Sequence, residues 1–359
     1  IVLDGYSDLF SRESRRTERL TVMLGHVARS LVSKGATRAR TTKVSAGKRQ
    51  TRRLTEGTTS RKVSPVPFSP VYAAIPTPLA ADGSLASSDI AHNIQKWNDT
   101  NLDGFLVLGS TGEAASLTFK ERVEVLQTVK KEASPRKQLF AGTGSSSLKE
   151  TKDLTAIAQD LGYDAALVVT PYFYLNNLND QSLEAYFTSI ADSAKIPIML
   201  YNNPKASGVS MSVPLIKKLS QHTNIVGIKD SFGSAEQLQV LLEETKDHQF
   251  EVLGANGSTY LANLLSGCPG SIMALACIVP NHLAKLHELY ETKQFDEAVE
   301  LQKHLVPLNY ALTTKYGVAG IKYLLNKMGY KVGPARLPLM PLSDKDSAAL
   351  DKLFQQYQL

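Results

Sequence analysis

Eight short apolar runs, each followed by a stretch of helical length, constrain this chain more than any other feature. They lie at 71–79, 104–110, 138–143, 165–171, 196–202, 225–230, 250–255 and 270–277, and start about 20 to 35 residues apart. That spacing leaves room for one helix between consecutive strands, which a parallel sheet requires. The runs are nearly continuous in Val, Ile, Leu and Ala, the pattern of strands covered on both faces. Eight such units in one chain favour an α/β fold of the closed (β/α)₈ barrel type over an open doubly wound sheet. A Rossmann-type sheet is the runner-up, but no G-x-G-x-x-G opens a helix.

The segments between the runs carry helix-start signals. Thr118 precedes Glu121, Ser147 precedes Glu150 and Ser234 precedes Gln237, each at capping-box spacing, and Pro214 follows Ser212 where a first turn tolerates proline. Beyond Asn281 the pattern is helical only, over 282–292, 295–315, 318–328 and 344–357. The expected organisation is a tail over 1–68, a barrel over 69–290 and a C-terminal helical extension over 291–359.

Charge separates the tail from the rest. Of the 40 Lys/Arg and 34 Asp/Glu, residues 1–64 hold 15 and 5, so the remainder is mildly acidic. Residues 23–55 contain nine Lys/Arg, no acid and many Ser, Thr and Ala, and Leu24, Val27, Ala28, Leu31 and Val32 share one helical face. An Arg- and Ser-rich, acid-free amphipathic start is the mark of an organelle transit peptide, with Met23 as the expected initiator and the mitochondrion as the expected location; without import the location is cytoplasmic. The tail is expected to be disordered. A nucleic-acid arm is the competing reading, but residues 23–64 contain no aromatic residue, so no nucleic-acid partner is expected. No run approaches the roughly 18 apolar residues of a spanning helix, so no membrane partner is expected either. The two cysteines, Cys268 and Cys277, sit in an apolar segment and suit core positions better than a disulfide or a metal site.

Chemistry on a (β/α)₈ barrel sits at the C-terminal ends of the strands. The sixth run reads Ile225-Val226-Gly227-Ile228-Lys229-Asp230-Ser231, and alternation places Gly227, Lys229 and Ser231 on one face. With apolar residues serving the outer helices, Lys229 should point into the barrel, beside the space left by Gly227. Burial disfavours an ammonium ion, and at an ordinary pKa near 10.4 only about one amine in 2,500 is neutral at pH 7, so a desolvated lysine is a nucleophile in waiting. Most lysines are solvated, and position alone favours a side chain that reaches solvent or pairs with Asp230. The turn Gly109-Ser110-Thr111-Gly112-Glu113 after the second run offers consecutive N–H groups and two hydroxyls to a carboxylate. Tyr201, at the end of the fifth run, is placed to move protons in the barrel mouth, although an aromatic there more often packs.

Taken together, GSTGE (109–113), TPYFY (170–174), YNNP (201–204), GIKDS (227–231) and KYGVAGIKYLLNKMGY (315–330) resemble the dihydrodipicolinate synthase/N-acetylneuraminate lyase family of class I pyruvate aldolases, over about residues 70–359. The resemblance implies Lys229 as the Schiff-base lysine, Tyr201 as the proton-transfer residue with Thr111 in the relay, and Ser110, Thr111 and Ser231 around the substrate. It also implies a 2-oxo acid substrate, no metal or dissociable cofactor, and a homotetramer. Two departures stand out. The arginine that holds the aldehyde's carboxylate in dihydrodipicolinate synthases is matched by Ala206, with Lys205 beside it. The family's relay tyrosine, which reaches the neighbouring subunit, is matched by Phe173, so that relay is absent or supplied by Tyr172 or Tyr174. Ser110, Ser231 and the transit-like tail look closest to mitochondrial 4-hydroxy-2-oxoglutarate aldolases. The expected reaction is cleavage of 4-hydroxy-2-oxoglutarate to pyruvate and glyoxylate, with dihydrodipicolinate synthesis or 2-keto-3-deoxy-sugar-acid cleavage as alternatives. A barrel without catalysis is the remote alternative.

Overall fold

The computed structural model describes residues 68, 70–231 and 234–359. The basic tail and its transit-like segment lie outside the described residues, apart from Phe68. Eight parallel strands close into a barrel in sequence order: β1 (Val71–Ala74), β2 (Gly104–Val107), β3 (Gln138–Gly142), β4 (Ala165–Val169), β5 (Ile198–Asn202), β6 (Ile225–Asp230), β7 (Glu251–Gly254) and β8 (Ser271–Met273).

Alternation sorts the side chains into two cores. Tyr72, Ala74, Leu106, Phe140, Leu167, Met199, Tyr201, Leu253 and Ile272 fill the inside of the barrel. Val71, Phe105, Leu139, Val168, Leu200, Ile228 and Val252 point outward into the layer beneath the helices. A strand buried on both faces has no solvent-facing polar side, which is why the runs read as continuous apolar stretches.

Several apolar runs outlast their strands. Leu108 adopts φ 60°, ending β2 earlier than the run 104–110 suggests. The run 270–277 leaves the sheet after Met273 and coils into a short 3₁₀ turn, Leu275–Cys277, that is equally buried. Hydrophobicity reports burial, and a buried turn is as apolar as a buried strand.

Helix starts follow the capping signals. The helix α1 spans Ser87–Asn98, and α2, Phe119–Glu132, opens with a full capping box between Thr118 and Glu121. The hydroxyl of Ser147 caps α3 (Leu148–Leu161) by accepting from the Glu150 amide. Further round the barrel lie α4 (Asp180–Ser193), the single turn α5 (Pro204–Ser207), α6 (Val213–Leu219), α7 (Ala235–Thr245), α8 (Tyr260–Ser266) and α9 (Pro280–Glu291). Ser212 and Ser234 cap α6 and α7 in the same way as Ser147 caps α3. The C-terminal extension comprises α10 (Phe295–Tyr310), a π-helical turn at Ala311–Lys315, α11 (Gly317–Lys327) and α12 (Asp344–Gln356). Among the described residues no helix is long and apolar enough to cross a membrane.

Candidate active site

The register between β5 and β6 builds the centre of the site. Ile198 pairs with Ile225, but Met199 pairs with Gly227, so the ladder skips Val226 in a bulge. A bulge advances one strand by a residue and re-aims the side chains beyond it. Past the bulge Tyr201 stands opposite Lys229, with both side chains in the barrel mouth. Lys229 is 4% exposed, and its Nζ lies 4.4 Å from the centroid of the Tyr201 ring. Gly227 has a different task from the one its position suggested. A Cβ there would lie 2.5 Å from the Glu251 carbonyl oxygen, so the glycine permits the close approach of β7 rather than making room for Lys229.

Tyr201 is surrounded by groups that favour its ionised form. Burial raises the phenol's pKa, but the charge of Lys229 and hydrogen bonds with Ser110, Ser231 and Lys229 outweigh it and hold the group below the ordinary tyrosine value. The Ser110 hydroxyl lies 3.5 Å from the phenol oxygen. Ser231 also ties the strand ends together, its amide donating to the Asn202 carbonyl at 2.9 Å. Thr111 is buried on the turn next to Ser110. The turn thus brings the Ser110 hydroxyl to the phenol.

The turn 109–113 is held in an uncommon shape. Leu108 and Glu113, which bracket it, both adopt left-handed backbone at φ 60° and 55°. Such residues cost roughly 1–3 kcal/mol each and persist only where surrounding contacts over-determine them. Here the Thr77 hydroxyl donates to the Gly112 carbonyl at 2.6 Å. The buried Glu113 carboxylate meets Lys322 Nζ at 2.5 Å, outside hydrogen-bond angles, and accepts from the Arg336 amide at 2.7 Å. Lys322 lies on α11 and also donates to the Pro334 carbonyl at 2.8 Å. The Arg336 guanidinium reaches the Gly83 and Ser116 carbonyls and the Glu121 carboxylate. The C-terminal extension therefore clamps the turn from behind.

Several of these participants were not singled out from sequence. Asn203 donates from its side-chain amide to the Tyr201 phenol oxygen at 2.9 Å and to the Ser110 hydroxyl at 3.3 Å. Alternation along β5 was the available signal, since 201 and 203 share a face. Lys322, Arg336 and Thr77 had no comparable signal, because their partners are distant in sequence.

A model of the dihydrodipicolinate synthetase family matches residues 67–357. A 4-hydroxy-tetrahydrodipicolinate synthase of Methanothrix thermoacetophila is 35% identical over 283 residues, covering 79% of this chain and 95% of that protein. The crystal structure of a dihydrodipicolinate synthase of Bacillus anthracis superposes with a TM-score of 0.77 at 29% identity, over 81% of this chain and 98% of that one. The chloride-inhibited dihydrodipicolinate synthase of Acinetobacter baumannii, solved with pyruvate, gives 0.76 at 29%, over 81% and 99%. The chain belongs to the dihydrodipicolinate synthetase family. It is a class I aldolase or lyase acting on carbon–carbon bonds.

The two departures from the family pattern also have places in the structure. Ala206 and Lys205 are exposed on α5. Phe173 and Tyr174 are 63% and 74% exposed, edge to face with centroids 4.8 Å apart, and Tyr174 has φ 57°. Tyr172 is half-buried, its amide donating to the Ser146 hydroxyl at 3.1 Å.

Proposed function

We propose that Lys229 condenses with the ketone of a 2-oxo acid and that this enzyme makes or breaks a bond to the methyl carbon of pyruvate. The observation that carries the reading is a buried amine 4.4 Å from the ring of a phenol whose pKa is held low. The amine attacks in its unprotonated form, and loss of water leaves an iminium that withdraws electrons from C3. In the cleavage direction Tyr201 takes the proton of the 4-hydroxyl, the C3–C4 bond breaks, and its electrons form the enamine. A proton then returns to C3, and water releases pyruvate and regenerates the amine. Ser110 and the turn beside Thr111 would hold the substrate's carboxylate, and Ser231 would keep the phenol aligned.

For the second substrate we infer glyoxylate, so that the substrate cleaved is 4-hydroxy-2-oxoglutarate. Ala206 supports this, because a longer semialdehyde needs a cation for its carboxylate at that position. The names of the relatives support a second reading, condensation of pyruvate with aspartate semialdehyde to give 4-hydroxy-tetrahydrodipicolinate. Lys205 is the cation next to Ala206 that this reading would use. Mitochondrial location and a homotetramer belong to the same proposal; sizing of the purified chain checks the latter.

Borohydride reduction in the presence of pyruvate is expected to fix a covalent adduct on the peptide containing Lys229. An unmodified Lys229 peptide would end the Schiff-base reading. Pyruvate release from 4-hydroxy-2-oxoglutarate, set against condensation with aspartate semialdehyde, separates the two substrates.

A further inference from the structure

The two asparagines after Tyr201 do different work. Asn202 points away from the phenol: its amide nitrogen donates to Asp230 Oδ1 at 2.8 Å and its oxygen accepts from the Met211 amide at 3.1 Å, which locks β5 to β6 and to the start of the next segment. Asn203 shares the face of Tyr201, and among the described residues its side chain hydrogen-bonds only to Tyr201 and Ser110. The turn at 203 is fixed through the backbone instead. The Asn203 carbonyl accepts from the Ala206 and Ser207 amides at 3.0 Å each and from the Ser207 hydroxyl at 3.1 Å. Ser207 is buried and accepts in turn from the Thr170 hydroxyl at 2.9 Å. A polar side chain that the local fold does not use, aimed at a buried phenol, has a role in the site.

We propose that Asn203 is a positioning residue for proton transfer at Tyr201, its amide holding the phenol oxygen and joining it to the Ser110 hydroxyl. The assignment rests on the proposed Schiff-base chemistry at Lys229. An N–H donated to a phenol oxygen stabilises the phenolate more than the phenol, and directs the phenol's own proton toward its other neighbours. The neighbours that can accept it are the hydroxyls of Ser110 on the turn after β2 and Ser231 after β6, both neutral; Lys229 on β6 is the one charged group acting on the phenol among the described residues. The amide thereby holds the phenol oxygen in place against the Ser110 hydroxyl.

The test uses the full chain with pyruvate alone. Once the enamine forms, the methyl hydrogens of pyruvate exchange with deuterium from solvent, so NMR reports the proton transfer without an acceptor substrate. The Asn203→Val variant is expected to exchange several-fold more slowly near neutrality, with the rising limb of its pH profile displaced upward by about 0.7 unit, the size of one neutral hydrogen bond. Asn203→Asp, which puts an anionic acceptor in place of the donor, should move the limb further. Half-saturation of borohydride trapping by pyruvate should stay within about threefold of wild type in Asn203→Val, because the turn at 203 is held by its backbone and the turn 109–113 by Thr77, Lys322 and Arg336. Profiles that superimpose on wild type in both variants overturn the assignment. So does an equal loss in exchange and trapping in Asn203→Val, which marks a loosened turn. Wild-type protein that is not trapped at all overturns the Schiff-base reading itself, a result the Asn203 variants cannot produce.

Discussion

Among the described residues two lysines are buried, and their surroundings could hardly differ more. Lys322, 1% exposed, stands behind the barrel mouth against the Glu113 carboxylate and a backbone carbonyl. Burial pushes its ammonium's pKa down, and Glu113 offsets part of that effect. Lys229 lies inside the barrel against a phenol, and among the described residues no carboxylate comes within ion-pair distance of it. The comparison separates two uses of the same side chain. A buried lysine matched with a carboxylate is a strut, because removing either partner strands a charge. A buried lysine facing a phenol and hydroxyls keeps its nitrogen available for a carbonyl.

The sharpest way to break that comparison is to delete the nitrogen at 229. Lys229→Ala is expected to abolish borohydride trapping and lower turnover by at least about 10³-fold, since the covalent route goes with the amine. Its folding transition should stay close to wild type; turnover that survives the substitution would remove Lys229 from the chemistry. Tyr201→Phe should still be trapped by pyruvate but lose about 10²- to 10⁴-fold in turnover, the usual share of a positioned acid–base group.

Lys322→Met should behave in the opposite manner. It leaves Glu113 buried and unmatched, and a loss of about 3–5 kcal/mol in urea unfolding is expected, with trapping preserved in the protein that remains folded. Glu113→Gln/Lys322→Met, which removes both charges, should recover most of that stability. A double variant no more stable than the single one would contradict the account of Lys322 as a strut.

The smallest effect concerns acid. The Arg336 guanidinium, hydrogen-bonded to Glu121, holds that carboxyl down at about 2 from an ordinary 4.5. A depressed carboxylate contributes stability that is complete above pH 4.5 and is lost as the pH falls toward about 2. Both side chains are about one-fifth exposed, so solvent screens part of the effect. Glu121→Gln should flatten the fall of the urea midpoint across that window while leaving the midpoint's dependence above pH 5 unchanged.

Much of the barrel is legible in the chain. Spacing alone called for eight βα units, and the Thr118, Ser147 and Ser234 caps stand where their spacing put them. Strand ends were less legible, because Leu108 and the buried turn at 275–277 are as apolar as the strands before them. Within the site, Lys229, Tyr201, Ser110 and Ser231 come together from β2, β5 and β6 as their positions at strand ends implied. Thr111 lies buried on the same turn, and the phenol's hydrogen bond to that turn is made by Ser110. Asn203 was within reach of the alternation argument that selected Lys229. Lys322 was not, because a single lysine in an amphipathic helix reads as solvated until its partner is known.

By itself, the sequence determined a repeat of strand and helix, and the face of each strand on which a polar residue would be buried, because alternation and burial are local consequences of backbone geometry. The tertiary structure alone decided that Val226 bulges out of register, that Lys229 therefore stands opposite Tyr201, and that Glu113 finds Lys322 across more than two hundred residues. Those outcomes depend on closing the barrel. Closure brings together groups whose meeting no local pattern encodes, and in a desolvated interior the partner a charged group meets determines whether it braces the fold or reacts.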